Sequence, residues 1–312
     1  MIKWKQNITI KEAHPMISRR QLYKLLSATP LHVNTIQHLA AGDNSNAYLC
    51  DHQYVVKVPR HEQAAESQKR EFELYRFLEK KPFPARVPRC IWMGSSFNVM
   101  DYIPGSPLTF KEYHRFSERE KDQLAEDEAL FLKALHAVPG VAEHFPALLE
   151  DKAALFSSDE KELSEILKSC GRLTVKNEKA IQLIYENIKK LNFLFCFTPC
   201  LVHNDFSKSN MIFQNNRLAG VIDFGDFKIS DPDNDFLCLL DGSDDDFGID
   251  FGMRVLKFYD HPNPQIALQK ARIYNAYWTI QQVLFGARRK DKTLLRHGLH
   301  TLSKLNPQDF IL

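Results

Sequence analysis

Two short stretches of the chain gather the residue types that handle phosphate and a divalent metal. His203-Asn204-Asp205 is followed, five residues after its aspartate, by Asn210, and Asp223-Phe224-Gly225 comes shortly afterwards. Apolar runs flank both pieces, as in Leu201-Val202, Met211-Ile212-Phe213 and Val221-Ile222, the texture of strands that end at a site. Phosphoryl transfer needs a cation for the phosphates, hard oxygen ligands for Mg2+ and a carboxylate beside the attacking hydroxyl. Asn210 and Asp223 offer the oxygens that Mg2+ prefers, on two segments that grip it from two sides. Asp205 would orient the acceptor hydroxyl; a weak base suffices where a loose transition state releases the proton late. Taken singly, each aspartate is more simply a turn former. The combination and its spacing argue for chemistry.

The same reaction requires elements that bring a cation to the phosphates. The spacing from Asp205 to Asn210 equals that of the kinase H-R-D-x-x-x-x-N pattern, and Asp223-Phe224-Gly225 is D-F-G, so a lysine on an earlier strand and a glutamate on the next helix are expected. Lys57 stands in the apolar run YVVKVP; the simpler reading has it snorkel to an edge. In the following helix, ESQKREFELYRFLEK, Glu71 shares the stripe of Leu74, Tyr75 and Leu78, whereas Glu73 falls on the opposite face. A carboxylate on a buried stripe needs a cation, which selects Glu71 as the partner of Lys57. A phosphate loop is expected over Ala41–Tyr48, with the backbone N–H groups around Ser45 and Asn46 as the cradle; its single glycine, Gly42, makes the signal weak by itself. No Walker A pattern occurs, which argues against a P-loop kinase.

These elements order themselves along the chain. A short helix is expected around Arg19–Ala28, then an antiparallel meander over residues 33–58, the Glu71 helix, and two extended runs, VPRCIWMG and SFNVMDYI. Pro104-Gly-Ser-Pro107 punctuates the sequence and divides a nucleotide-binding lobe, residues 1–103, from a catalytic and substrate-binding lobe, residues 104–312. Beyond it the pattern is helical, opening with a capping box at Ser117 and Glu120 and continuing near Pro146–Leu155, Glu160–Cys170 and Asn177–Leu191. The expected class is α+β, a two-lobed kinase-like fold with a small antiparallel-sheet lobe and a larger, mostly helical one.

Composition bounds the partners. The 312 residues carry a net charge of +2, which gives no argument for nucleic acid. Eight aspartates nevertheless fall between Asp231 and Asp250, a local anionic field suited to a cationic ligand; a solvated acidic surface is the simpler reading from charge alone. Six cysteines without a CxxC pair suit a reducing compartment. Cys196, Cys200 and His203 lack a nearby fourth ligand for a zinc site. The N-terminal MIKWKQNITIKEAHP lacks the apolar stretch of a signal peptide and no run approaches the length of a membrane span, so a cytoplasmic protein with no membrane partner is expected; it is expected to be a monomer as well.

Three features separate the chain from protein kinases: Ser207 in place of the usual lysine, no A-P-E after D-F-G, and no G-x-G-x-x-G. It resembles instead the aminoglycoside phosphotransferases, specifically those that modify the 2″-hydroxyl. The resemblance rests on QYVVKVP, SQKREFELYRFLE, FNVMDYIPG, CLVHNDFSKSNMIF, NNRLAGVIDFGDF, DPDNDFLCLLD and AYWTIQQVLFG, in register from about Ile36 to the C-terminal helices. It implies that Asp205 is the catalytic aspartate, that Asn210 and Asp223 hold Mg2+, and that Lys57 and Glu71 position the phosphates. It also implies that Met100 is the gatekeeper, with Asp101 and Tyr102 in a hinge that reads the purine and Ile222 beside the nucleotide. A flexible methionine there permits either ATP or GTP. The polycationic aminoglycoside would meet Asp205, Asp226, Asp233, Asp241 and the run Asp244-Asp245-Asp246, with Asp235 structural; Tyr277 and Trp278 would wall the sugar rings unless they pack in the core. The chain departs from the family pattern at Asn275, where a neutral amide replaces an acidic residue; this is expected to weaken the grip on one ammonium group. The alternatives are a kinase for another small amine or alcohol, such as choline, and a catalytically silent binding module. The intact Lys57, Asp205, Asn210 and Asp223 count against the latter.

Overall fold

The computed structural model describes residues 17–42, 44–170, 175–241 and 247–304. They form two compact units. One comprises the described residues through Ala134 with Ser207–Phe227; the other comprises Leu135–Phe206 and the described residues from Lys228 onward. No described helix is long and apolar enough to cross a membrane.

The first unit opens on α1 (Arg19–Leu26), which Ser18 and Gln21 cap reciprocally. A five-stranded antiparallel sheet follows: β1 (Ile36–Ala41), β2 (Ser45–Cys50), β3 (Tyr54–Pro59), β4 (Cys90–Met93) and β5 (Asn98–Asp101), in the order β1-β2-β3-β5-β4. Strand β3 is central and buried on both faces, which is why its sequence runs apolar without alternation. Val56 and Val58 join Leu22 and Leu26 of α1 in one apolar cluster. Period-two geometry therefore sends Lys57 to the opposite face. There α2 (Glu62–Leu78) packs, burying Phe72, Leu74, Tyr75 and Leu78. Each such side chain contributes about 1.5–3 kcal/mol on burial. Gln68 fixes the helix against the strand by donating from Nε2 to the Lys57 carbonyl at 2.9 Å.

Two further helices, α3 (Phe110–Tyr113) and α4 (Glu118–His136), complete the helical part of this unit, although the last two residues of α4 fall in the other. The capping box at Ser117 forms: Glu120 accepts from the Ser117 N–H at 2.8 Å, and its own N–H donates to the Ser117 hydroxyl. The hairpin of Met211–Gln214 and Arg217–Val221 turns at Asn215 and Asn216, both with positive φ, a backbone state that asparagine tolerates. Arg217 forks onto Asp127 of α4 through two bonds of 2.6 Å. The segment before β4 closes on the hairpin at 2.9 Å from both sides, Arg86 N–H to Ala219 O and Val221 N–H to Arg86 O. The hairpin connects Asn210 to Asp223, so these contacts fasten both residues to the first unit.

The second unit is mostly helical: α5 (Val141–His144), α6 (Lys152–Cys170), α7 (Val175–Lys190), α8 (Leu237–Leu240), α9 (Ile249–Phe258), α10 (Pro264–Arg288) and α11 (Lys292–Leu302). One antiparallel strand pair, Cys200–Val202 with Lys228–Ser230, accompanies them. Phe156 and Leu163 of α6, Ile184 and Ile188 of α7, and Ile280, Val283 and Leu284 of α10 build the core. Helices α10 and α11 touch through backbone: a Cβ on Gly286 would lie 2.4 Å from the Leu295 nitrogen. The sequence suggests separate helices near Pro146–Leu155 and Glu160–Cys170, but α6 runs unbroken from Lys152. Tertiary partners override the weak helix propensity of Ser157-Ser158-Asp159. The Asp159 carboxylate is buried and accepts from the Tyr277 hydroxyl, the Gln281 amide and Arg288.

Candidate active site

In the first unit the chemistry is organised around Lys57. Its ammonium donates to both Glu71 oxygens, at 2.7 and 3.0 Å, and to Asp223 Oδ1 at 3.0 Å. Lys57 and Glu71 are buried, whereas the Asp223 side chain is 54% exposed. Burial by itself works to lower the lysine's pKa, but the Glu71 and Asp223 carboxylates more than offset it and hold the ammonium charged. Burial also pushes the Glu71 carboxyl up, against the pull of Lys57. Tyr75, one helical turn on, donates its hydroxyl to Glu71 Oε1 at 2.6 Å. Glu71 is thus oriented from its own helix while it orients the lysine.

Asp223 sits in the left-handed region, φ 64° and ψ 61°. Strain of this kind persists where the surroundings over-determine it. Here Phe224 is fully buried against Tyr75, and Ser67 of α2 donates to the Gly225 carbonyl at 2.7 Å. Next to it, the Ile222 N–H donates to the Asn210 carbonyl at 2.8 Å, which brings the two oxygen-bearing segments together. Asn210 is buried, and Asp226 is exposed.

Ser45 and Asn46 begin β2, opposite Pro59 and Val58. The Gly42 N–H closes the turn onto the Ser45 carbonyl at 2.9 Å, and Arg60 reaches the Gly42 carbonyl at 2.7 Å. The sequence does not single out Arg60, for an arginine after a strand carries no signal. Met100 and Asp101 end β5, both buried. The Asp101 side chain is engaged by the Arg89 N–H at 2.6 Å, by Arg86 Nη2 at 2.7 Å and by Arg89 Nε at 3.0 Å. The N–H groups of Asp101 and Tyr102 are taken by the Arg89 and Gln53 carbonyls.

The second unit holds Asp205 and much of the acidic segment. Asp205 is half-buried, and its N–H donates to His203 Nδ1 at 3.3 Å. Asp235 is fully buried beneath this loop and accepts the N–H groups of His203 and Asn204 at 2.9 and 2.7 Å. Asp233, read from sequence as a ligand for a substrate ammonium, already has partners of its own. Lys270 lies 2.7 Å from one of its oxygens and His261 Nε2 the same distance from the other. Although burial opposes it, these partners hold the Asp233 carboxyl below its usual range. Asp231 is fully buried as well, accepting from Lys270 at 2.8 Å and Lys152 at 3.2 Å. Lys152 also donates to Tyr274 at 2.6 Å, yet burial lowers its pKa to about 8. Lys270 was legible by the signal that selected Glu71, for it lies on the buried stripe of Ala267, Ala271 and Tyr274.

The remaining expected substrate residues divide. Asp241 and Asn275 are half-buried and Trp278 is 47% exposed. Tyr277 is buried, its hydroxyl on Asp159 and its ring against Phe156 and Tyr185. Asp244 and Asp245, with Asp246, lie outside the described residues.

A five-stranded sheet whose central lysine pairs with a helix glutamate, with D-F-G on the segment beyond, belongs to the kinase-like phosphotransferases. The sequence matches the family described as the phosphotransferase enzyme family over residues 35–272. The gentamicin complex of APH(2″)-IIa is similar at 46% identity, covering 96% of this chain and 100% of that one with a TM-score of 0.86. ADP-bound APH(2″)-Ib is also 46% identical, over 95% of this chain and 100% of its own, with a TM-score of 0.85. The macrolide 2′-phosphotransferase MphH from Brachybacterium faecium, 15% identical, covers 91% of this chain and 98% of its own at a TM-score of 0.72, a likeness of fold alone. The chain belongs to this phosphotransferase family, in its aminoglycoside phosphotransferase branch.

Proposed function

We propose that the protein transfers the γ-phosphoryl group of ATP or GTP to an aminoglycoside, at the 2″-hydroxyl. The observation that carries the reaction is the buried Lys57 held at once by Glu71 and Asp223. An ammonium in that position serves the phosphates of a nucleotide, and a binding protein has no use for two carboxylates keeping it charged. The acceptor follows from the likeness to APH(2″)-IIa, whose structures hold gentamicin in one case and streptomycin with ATP in another.

Asn210 and Asp223 fit Mg2+: a neutral amide and an exposed carboxylate are hard oxygen donors on adjacent segments. Asn210 and Asp223 would hold the ion, which would supply neutralisation of the negative charge on the transferring phosphoryl group. Asp205 orients the acceptor hydroxyl and takes its proton as the bond from its oxygen to the γ-phosphorus forms and the bond from that phosphorus to the departing nucleoside diphosphate breaks. In the hinge, the Asp101 and Tyr102 amides are occupied, so amide recognition of a purine passes to Ile103. The flexible Met100 behind it accommodates either purine. Asp226, Asp241 and the aspartates beyond would meet the substrate's ammonium groups, and Trp278 would wall a sugar ring; Asp233 is internally compensated.

The test is NTP-dependent phosphorylation of kanamycin-like and neomycin-like aminoglycosides beside choline, with ATP and GTP as donors. Turnover of aminoglycosides by the wild type, lowered on the order of 10²–10⁴-fold in Asp205→Ala, is expected. Turnover of choline alone, or full activity of Asp205→Ala, would overturn the reading.

A further inference from the structure

We infer that a cavity beside the end of β5 binds a small phosphomonoester between Arg86 and Arg89. Most of the residues that build it are close in sequence. The loop KKPFPARVPR, from Lys80 to Arg89, joins α2 to β4 and carries Pro82, Pro84 and Pro88. Proline fixes φ, so the loop is stiff before any ligand arrives. Its backbone is tied down as well. The Lys81 N–H donates to the Leu78 carbonyl at 2.8 Å, and Arg86 is bonded on both sides to the Met211–Val221 hairpin. Arg89 exchanges two bonds with Asp101, donating its N–H to Oδ1 at 2.6 Å and accepting the Asp101 N–H at 3.1 Å. Between this loop, the end of α2 and Asp101 lies a cavity of about 410 Å³, within the roughly 300–1,000 Å³ of small-molecule sites. None of Ser45, Asn46, Lys57 and Asp223 lines it, so it is distinct from the phosphate cradle of the proposed reaction.

Charge selects the ligand. The Asp101 side chain is 8% exposed, and a carboxylate so buried needs one cation. It has two. Arg86 Nη2 at 2.7 Å and Arg89 Nε at 3.0 Å reach the same oxygen, Oδ2, so the two guanidiniums stand side by side. They are 47% and 60% exposed, and both line the cavity. A guanidinium has five N–H donors; each of these gives one to Asp101, and among the described residues the rest meet no carboxylate. Lys81 adds a third positive charge to the lining, and the other carboxylate there, Glu79, is exposed and pairs with none of the three. The cavity is therefore net positive. A phosphate dianion is its complement, because its oxygens accept paired N–H donors from adjacent guanidiniums. Asp101 aims both arginines in advance, so less side-chain freedom is lost on binding. Leu78, Phe83, Val87 and Pro88 make the rest of the lining apolar, a surface for the organic body of the ester.

The test is isothermal titration calorimetry on the full chain, at low salt and about pH 8, where a phosphomonoester is a dianion. The probes are phenyl phosphate, inorganic phosphate and phenol. Phenyl phosphate is expected to fill one site with a Kd of about 0.1–1 mM. Inorganic phosphate, which lacks the body, should bind at least about tenfold more weakly, and phenol, which lacks the charge, should not bind. Arg86→Gln and Arg89→Gln should each raise the phenyl phosphate Kd at least about tenfold, while the arginine that remains still neutralises Asp101. Saturating ADP should leave that Kd within about twofold, whereas an ester seated at the nucleotide site would be displaced. Should neither variant fold, amide hydrogen exchange of the wild type decides: phenyl phosphate slows exchange over residues 79–101 and leaves residues 45–58 unchanged. No binding of phenyl phosphate, equal binding of inorganic phosphate or phenol, displacement by ADP, an unchanged Kd in both arginine variants, or protection confined to residues 45–58 overturns the inference. The readout is binding rather than turnover, and so stands apart from the proposed reaction.

Discussion

Replacing Glu71 by glutamine probes the Lys57 cluster with little change in shape. Glu71 is 1% exposed and supplies two of the three carboxylate contacts to the lysine. Removing one partner of a buried pair costs about 3–5 kcal/mol, because the other charge is left uncompensated. Here Asp223 remains 3.0 Å away, but its side chain is half-exposed and its attraction is screened. The expected loss is therefore roughly 2–4 kcal/mol. At about 2 °C per kcal/mol for a chain of this size, the thermal midpoint falls by roughly 4–8 °C. Kinetics should change more selectively. Lys57 would lean on Asp223, the residue proposed to hold the metal, so kcat/KM for the nucleotide should drop on the order of 10²-fold, equivalent to about 2.7 kcal/mol. KM for the aminoglycoside should stay within about twofold. Tyr75→Phe is the control: it removes one hydrogen bond to a charged acceptor, about 1.5–3 kcal/mol of stability, and leaves the ion pair in place. A midpoint within 1 °C of wild type in Glu71→Gln, with nucleotide kcat/KM unchanged, would refute the reasoning.

Asp233→Asn is expected to lower stability by roughly 3–5 kcal/mol in chemical denaturation without raising aminoglycoside KM, since its carboxylate is already engaged by Lys270 and His261. Trp278→Ala should do the reverse, raising aminoglycoside KM about tenfold, or about 1.4 kcal/mol, with stability nearly unchanged. Lys152 titrates near 8 in the folded protein against 10.5 ordinarily. Between those values the unfolded chain holds more protons, so stability rises with pH there, by on the order of 3 kcal/mol; denaturation of Lys152→Met across this window should lack that rise. In Asp223→Asn the Mg2+ concentration for half-maximal activity should climb at least tenfold while the Lys57–Glu71 pair persists.

What the sequence made legible follows from period and chemistry. Lys57 and Glu71 could be paired because a charge on a buried strand and a charge on a buried helix stripe each require an opposite charge, and they stand 2.7 Å apart. The meander, the Glu71 helix and the Ser117 cap were readable for the same local reasons. Long-range compensation was not. Nothing around Asp233 indicates that Lys270 and His261 will engage it from 37 and 28 residues away. Likewise His136 looks like an ordinary helix end until Asp235 arrives 99 residues later. The unbroken α6 was hidden because Ser157-Ser158 reads as a break, and the buried Asp159 contacts, with Phe156 and Leu163 in the core, override it.

Locating the phosphate on the product tests the assigned reaction most directly. Wild-type protein, ATP and kanamycin should yield a phosphomonoester whose phosphorus correlates with the proton on the 2″ carbon in two-dimensional 31P–1H NMR, and Asp205→Ala should form it on the order of 10²–10⁴-fold more slowly at the same enzyme concentration. A phosphate on any other hydroxyl would contradict the regiochemistry. Folded wild-type protein that consumes ATP and leaves every aminoglycoside unmodified would contradict the function itself.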